Sequence, residues 1–353
     1  MRYSGIGGQA VMEGVMMKNQ DKYAVAVRKP DQQIVVEVSE YTGLVKNKKI
    51  KNIPILRGVI NFIESLVLGM KTLTFSASFF EDEEEEKKAD KKKEKREAAS
   101  EKSEKPGARK VISVSSEDCG MQKDTKSVSE VTPEELERQK KKAKKQEDAM
   151  MGGTVLVSIV LAVAIFMILP YYISLFFQRF IESHLVISLL EGAIRLAIFI
   201  GYVGLISLMP DIRRVYMYHG AEHKCINCIE HGLDLTVENV RKSSKEHKRC
   251  GTSFMLIVML VSIIVFLFIR VESGVLRLVL RLLLIPVIAG ISYEFIRLAG
   301  RSDNVIVNLL SKPGMWLQEL TTKEPDDDMI EVGIASVEAV FDWKSYVEEI
   351  RKL

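Results

Sequence analysis

Apolar and polar positions divide this chain into segments of very different character. From Ala149 to Gln178 no residue is charged, a run longer than the ~20 residues that a bilayer-crossing helix needs. Residues 185–209 form a second apolar run, interrupted by Glu191 and Arg195. Gly251 to Ile269 is a third and is uncharged throughout. Residues 275–299 are the fourth, with Arg277 and Arg281 toward one end and Glu294 and Arg297 toward the other. Buried core helices of this length rarely dispense with charge. The pattern therefore predicts an α-helical integral membrane protein with about four transmembrane helices, its membrane domain covering residues 150–302.

The flanking segments follow other periods. YAVAVRK and QIVVEVSE alternate or run with β-branched residues and are joined by PDQQ, a turn opened by Pro and Asp. Residues 1–54 thus read as a small N-terminal β-rich cytosolic domain. Ahead of the strands, GGQAVMEGVMMK places glycines at a spacing that suits tight turns; it lacks the Lys-Ser/Thr ending of a phosphate loop. Residues 55–80 carry apolar positions at helical spacing with Arg57, Glu64 and Lys71 among them. The charges argue against a span and for an amphipathic helix at the membrane surface or packed on the membrane domain, with a re-entrant segment as the alternative. Residues 81–149 are a charged low-complexity linker that cannot bury enough apolar surface to fold alone, although TPEE at 132–135 has the order of a capping box that opens a helix. In the C-terminal cytosolic segment, 303–353, residues 303–320 read as a surface helix broken near Pro313-Gly314. EVGIASVEAVFDW mixes helix and strand spacings and is expected to return and pack on the N-terminal domain.

Over the whole chain of 353 residues the charge is only +3 and hydrophobic residues are 47%, averages that hide these contrasts. Local charge is more telling. The segment before the first span is rich in Lys, and the loop 210–252 carries eight Lys and Arg, whereas the two remaining loops are short. Basic loops stay in the cytoplasm, so both termini are predicted to be cytoplasmic. The N-terminus, MRYSGIGGQAVMEG, lacks the apolar core of a secretory signal. Cys119, Cys225, Cys228 and Cys250 would then meet a reducing environment in which structural disulfides are rare.

Candidate chemistry concentrates in the same basic loop, where YHGAEHKCINC, residues 218–228, holds two of the chain's five His and two of its four Cys. Pro210 suits the first turn of a helix. On that helix His219 and His223 lie one turn apart on one face, the spacing at which two imidazoles bind one cation. The order His-x-x-Glu-His is that of an inverted zinc-peptidase motif, in which the glutamate, here Glu222, is the general base. Cys225 and Cys228 point to the far side of the helix and read as small buried residues. Glu230 returns to the histidine face but sits about 10 Å further along the axis. Further ligands are sought at the loop's other end, in EHKRCGTSF, where His247 and Cys250 precede the third span; the donor set suits zinc. His184 and His231 read as boundary or capping histidines.

Ionisable groups inside the apolar runs are the second signal. Glu191 and Arg195, four apart, can pair along one helix face. Such groups mark either an internal ion pair that fixes packing or a polar pathway, and Glu294 could join them.

GGQAVMEGVMM, RGV at 57–59, YHGAEHK, LTVEN at 235–239 and RCGTSF together resemble a bacterial membrane family catalogued as domain of unknown function 1385 and labelled a predicted metal-dependent enzyme. The resemblance covers nearly the whole chain apart from the charged insert. It implies motif roles for His219, Glu222, His223, Glu230, His247 and Cys250, leaves Cys225 and Cys228 outside the pattern, and implies residence in the cytoplasmic membrane. The leading expectation is a membrane protein with a His/Cys metal site at its cytosolic face, acting as a metal-dependent hydrolase. A non-catalytic scaffold or assembly factor engaging membrane, cytosolic or protein-export partners is the alternative, and small-solute transport a weaker one. No specific nucleic-acid binding is predicted.

Overall fold

The structure is a computed structural model that describes residues 3–45, 50, 52–80, 152–269, 271, 273–302 and 304–352. The charged linker, the helix start expected at 132–135 and Cys119 lie outside the described residues.

Four antiparallel strands in sequence order, β1 (Ile6–Val11), β2 (Gly14–Asn19), β3 (Lys22–Arg28) and β4 (Ile34–Glu40), form one sheet. Met12 and Glu13 make the first turn, with Glu13 at φ 49°. Both faces of the central strands are buried, so β2 reads as an apolar run rather than an alternation. Val11, Met16, Tyr23, Val25 and Val27 pack with Leu68 on one face. Ile6, Val15, Met17 and Ala26 pack on the other with Tyr218, Cys225, Ile229, Ile330 and Val337. Gly7 and Gly8, expected to serve a turn, lie inside β1 instead. Gly8 is required by contact, because the Glu222 side chain occupies the space a Cβ would fill.

The helices are α1 (Leu56–Ala77), α2 (Gly152–Gln178, with a π-turn at Ala164–Ile168), α3 (His184–Ile206), α4 (Pro210–Glu230), α5 (Val237–Lys242), α6 (Gly251–Leu267), α7 (Gly274–Ala299), α8 (Val305–Thr321), α9 (Asp327–Val340) and α10 (Trp343–Arg351). Four are long and apolar enough to cross a membrane: α1, α2, α3 and α7. The number matches the sequence expectation, but the set differs. α6 has 17 residues, about 26 Å at ~1.5 Å per residue, because the Cys250 sulfur caps its start and the helix stops at Phe268. α1 reaches the length and apolarity of a span although it carries Arg57, Glu64 and Lys71.

The contacts of α1 show where those charges go. Arg57 pairs with Glu294 of α7, and Gly58 passes close to Gly290 and Tyr293. Further along, the Glu64 carboxylate accepts from the Leu44 amide, Gly69 meets the Gln9 side chain, and Ser76 Oγ accepts from the Met12 amide. The helix therefore runs from the end of α7 along the face of the sheet.

α8 continues through Pro313 instead of breaking there. Ser311, Gly314, Leu317, Gln318 and Thr321 form one buried face, and Gly314 allows contact with Ser253 of α6. That packing outweighs the lost hydrogen bond and the ring clash of an interior proline. The segment with mixed spacing, 331–343, is helical over most of its length as α9. It lies on β2 and β3, with Ser336 Oγ donating to the Ala24 carbonyl and Asn19 to the Val340 carbonyl.

α4 survives Gly220 for a specific reason: the Lys323 carbonyl occupies the position of the missing Cβ, and the Lys323 amide donates to the Tyr216 carbonyl. Helix propensity alone would make Ala better than Gly here by about 1 kcal/mol. The contact reverses the sign. Gly220→Ala is expected to destabilise the protein by roughly 1–3 kcal/mol, read as a lower thermal midpoint in detergent; an unchanged or higher midpoint would contradict this packing.

Candidate metal centre

α4 carries His219, Glu222 and His223 on the face that meets the 243–250 segment and the C-terminal end of α8. His219 Nδ1 donates to the Thr321 carbonyl at 2.9 Å, and His223 Nδ1 donates to the Lys245 carbonyl at 2.6 Å. With one proton held on Nδ1, each ring in its neutral form presents the lone pair of Nε2. The His219 Nε2 lies 3.2 Å from the Cys250 sulfur, and the two imidazole centroids are 4.3 Å apart. Ligand atoms of His219, His223 and Cys250 all fall within 4.8 Å of one another. Bonds of about 2.0–2.3 Å from a shared ion place donors at such separations, so two nitrogens and one sulfur fit a metal ion.

Electrostatics prepare the same atoms. Burial pushes the Cys250 thiol up, but the neighbouring His219 and His223 imidazoles outweigh this and hold it well below the usual thiol range. Its place at the start of α6, accepting from the Thr252 amide at 3.4 Å, favours the thiolate further. Burial pulls His219 down, yet the Cys250 sulfur, Glu222 and the Thr321 carbonyl raise it to about 9. The pair is then a thiolate beside an imidazolium, and a cation binding there displaces the His219 proton.

Glu222 stands beside the cluster, with Oε2 3.5 Å from His223 Nε2 and 3.9 Å from His219 Nε2. It is 4% exposed and covered by β1 at Gly8. His247 does not join the three. Gln318 clamps its backbone, accepting from the amide and donating to the carbonyl. Its ring lies 5.6 Å from that of His223, with Nε2 3.9 Å from Glu230 Oε2. Glu230 in turn accepts from Arg249 and from both the amide and hydroxyl of Ser4. His247 Nε2 and Glu230 Oε2 are both buried without a hydrogen-bond partner.

The other predicted groups are placed apart. Cys225 packs against Gly333 and Cys228 donates to the Asp234 carbonyl at 3.4 Å. Burial pushes the Cys225 thiol far up and the Cys228 thiol to about 11. Glu191 pairs with Arg195 at 2.9 Å and also with Arg281 of α7. Glu294 belongs to neither, being held by Arg57. Thirteen residues of α7, about 20 Å, separate it from Arg281, so Glu191, Arg195 and Glu294 do not form one polar line.

The family described as "Protein of unknown function (DUF1385)" matches residues 53–343. The chain belongs to the DUF1385 family. It is similar to the uncharacterized protein YqhQ of Bacillus subtilis (strain 168), 32% identical over 348 residues that cover 98% of this chain and 95% of that one. No solved structure matches. In this DUF1385 chain the supporting residues that motif reading missed are Gly8, Ser4, Gln318 and the carbonyls of Lys245 and Thr321. Only Gly8 left a trace, in the GGQAVMEG stretch; backbone carbonyls and a lone Gln carry no spacing signal.

Glu230 supplies a pH test. Burial pushes its pKa up, but the His247 ring, Arg249 and the Ser4 amide outweigh this and lower it to about 2. A depressed carboxylate contributes stability that is complete above its unfolded value and lost as pH falls toward its folded value. Between about pH 5 and pH 3 the protein should lose on the order of 2 kcal/mol from this group. Thermal midpoints across that range should fall less steeply for Glu230→Gln; parallel curves would contradict the assignment.

Proposed function

We propose that this protein is a multi-pass integral membrane metalloprotein that holds zinc on His219, His223 and Cys250 at its cytosolic face, in a hydrolase-type centre with Glu222 as general base. The observation that carries the reading is the pair of Nδ1 hydrogen bonds to the Thr321 and Lys245 carbonyls, which turn both Nε2 atoms toward the Cys250 sulfur. Outer hydrogen bonds of this kind orient metal-ligating histidines. A set of two imidazoles and a thiolate suits zinc, and three protein ligands are characteristic of sites that keep one position open. Zinc bound there would supply Lewis acidity. Glu222, with Oε2 3.5 Å from His223 Nε2 and 3.9 Å from His219 Nε2, would be the group that takes up a proton beside such an ion.

Membrane topology supports the placement. β1 packs on α4, and β2 and β3 pack on α9, so the sheet, the basic loop and the C-terminal helices share one side. Crossings by α2 and α3, then by α6 and α7, preserve that arrangement. A crossing by α1 as well would put β1 and α4 on opposite sides. α1 is therefore an interfacial helix, and its exposed Ile63, Leu66, Val67, Met70 and Leu73 recur at helical spacing as a stripe for the lipid surface. The Lys and Arg of the loop assign this side to the cytoplasm.

A second reading, a membrane scaffold in which the ion is a structural clip, draws on the cover that β1 places over Glu222. Its partners would be cytosolic or protein-export components. Elemental analysis of the detergent-purified full chain separates these ideas from an ion-free protein. About one zinc per chain is expected, lost in the His219→Ala/His223→Ala variant and kept in Glu222→Gln. Wild-type protein without a stoichiometric metal would overturn the centre. Cellular function that survives Glu222→Gln would favour the clip over the hydrolase.

A further inference from the structure

The end of the bundle remote from the His/Cys cluster has a second collection of charges, which the metal centre leaves unused. α7 begins there behind Ser273, and its first turns carry Arg277 and Arg281. A cavity of about 330 Å³ opens beside them, walled by Tyr171, Tyr172, Ser273, Gly274, Arg277 and Arg281, with apolar side chains of α2 and α7 completing it. This is the lower end of the size range of small-molecule sites, ~300–1,000 Å³.

Among the described residues the charges around it do not balance. Glu191 accepts from Arg281 through both carboxylate oxygens and from Arg195 through one, and all three residues are 3–6% exposed. One buried carboxylate thus faces two buried guanidinium groups. Arg195 spends a further donor on Ser262, yet the Nε atoms of Arg195 and Arg281 are buried and have no partner. Arg277 adds another positive charge at the cavity, and its hydrogen-bond acceptor among the described residues is the neutral Val271 carbonyl, reached through two of its nitrogens. The start of α7, where Ser273 Oγ accepts from the Leu276 amide, adds the positive end of the helix dipole. The Tyr171 ring stands 5.5 Å from the Arg277 guanidinium and 5.9 Å from that of Arg281, which fixes both against the wall.

Uncompensated guanidinium groups in apolar surroundings are costly unless an anion completes the set. Guanidinium forks and a helix N-terminus are the partners phosphate oxygens favour. We propose that this cavity binds one phosphate-class anion, carried either on an anionic phospholipid headgroup or as free phosphate. The site lies at the opposite end of α7 from Glu294 and goes beyond the metal reading; the loss of either leaves the other standing.

The test uses lipid-stripped full-length protein in neutral detergent, titrated by calorimetry with short-chain phosphatidylglycerol, short-chain phosphatidylcholine and inorganic phosphate in turn. One equivalent of phosphatidylglycerol or of phosphate should bind. Arg277→Gln should weaken that binding on the order of tenfold or more, the effect of losing a charge-assisted contact, with Arg277→Lys intermediate. Leu278→Trp fills the cavity without altering charge and should give a comparable loss, which keeps the test open if Arg277→Gln folds poorly. Binding of phosphatidylglycerol without phosphate identifies a lipid site, and the reverse identifies a free-anion site; either supports the proposal. It is overturned if neither anion binds stoichiometrically, if phosphatidylcholine binds as tightly as phosphatidylglycerol, or if folded Arg277→Gln and Leu278→Trp retain wild-type affinity.

Discussion

Two hydrogen bonds, from His219 Nδ1 to the Thr321 carbonyl and from His223 Nδ1 to the Lys245 carbonyl, govern the architecture of the loop end. Each ties an imidazole of α4 to a different part of the chain, one at the close of α8 and one in the segment leading to α6. Together they hold three pieces of backbone around one point and leave both Nε2 atoms facing Cys250. The remaining contacts serve this geometry. Gln318 clamps the peptide of His247, Lys224 Nζ donates to the carbonyls of Arg241 and Ser243, and Asn227 donates to those of Ser244 and Glu246. A loop that would otherwise leave its carbonyls unpaired in a buried place is pinned to α4 by side chains.

The sheet extends the same logic to the N-terminus. β1 crosses α4 where Gly8 admits Glu222, and Ser4 reaches Glu230 two turns further along the helix. The β domain is therefore part of the site's wall. Its other face receives α1, whose Arg57 pairs with Glu294 at the end of α7. The charge of Arg57 is neutralised where α1 meets the end of α7, while the exposed side of α1 stays apolar.

Much of this was legible from residue order. The alternation in YAVAVRK and QIVVEVSE gave β3 and β4, and the i, i+4 histidines gave one face of α4. The membrane-flanking position of Cys250 brought it to those histidines because both loop ends meet at one side of the bundle. Other features depended on tertiary contacts that no local pattern records. His247 shares the loop end with Cys250, but the Gln318 clamp places its ring beside Glu230. In the sequence Arg281 is only a charge near a helix end, yet Glu191 draws it into a buried triad. Pro313 predicts a break that the buried face of α8 overrides, and the charges of α1 predict against a span although its length and apolarity reach one while the uncharged α6 is shorter. In each case the deciding partner is distant in sequence.

X-ray absorption at the zinc edge of the purified full-length protein tests the central claim most directly. The spectrum should show one sulfur at about 2.3 Å and two imidazole nitrogens at about 2.0–2.1 Å around a single ion, with the sulfur shell absent in Cys250→Ser. A first shell without sulfur, or a sulfur shell that persists in Cys250→Ser, would show that the ion is held elsewhere and contradict the geometry on which the account rests.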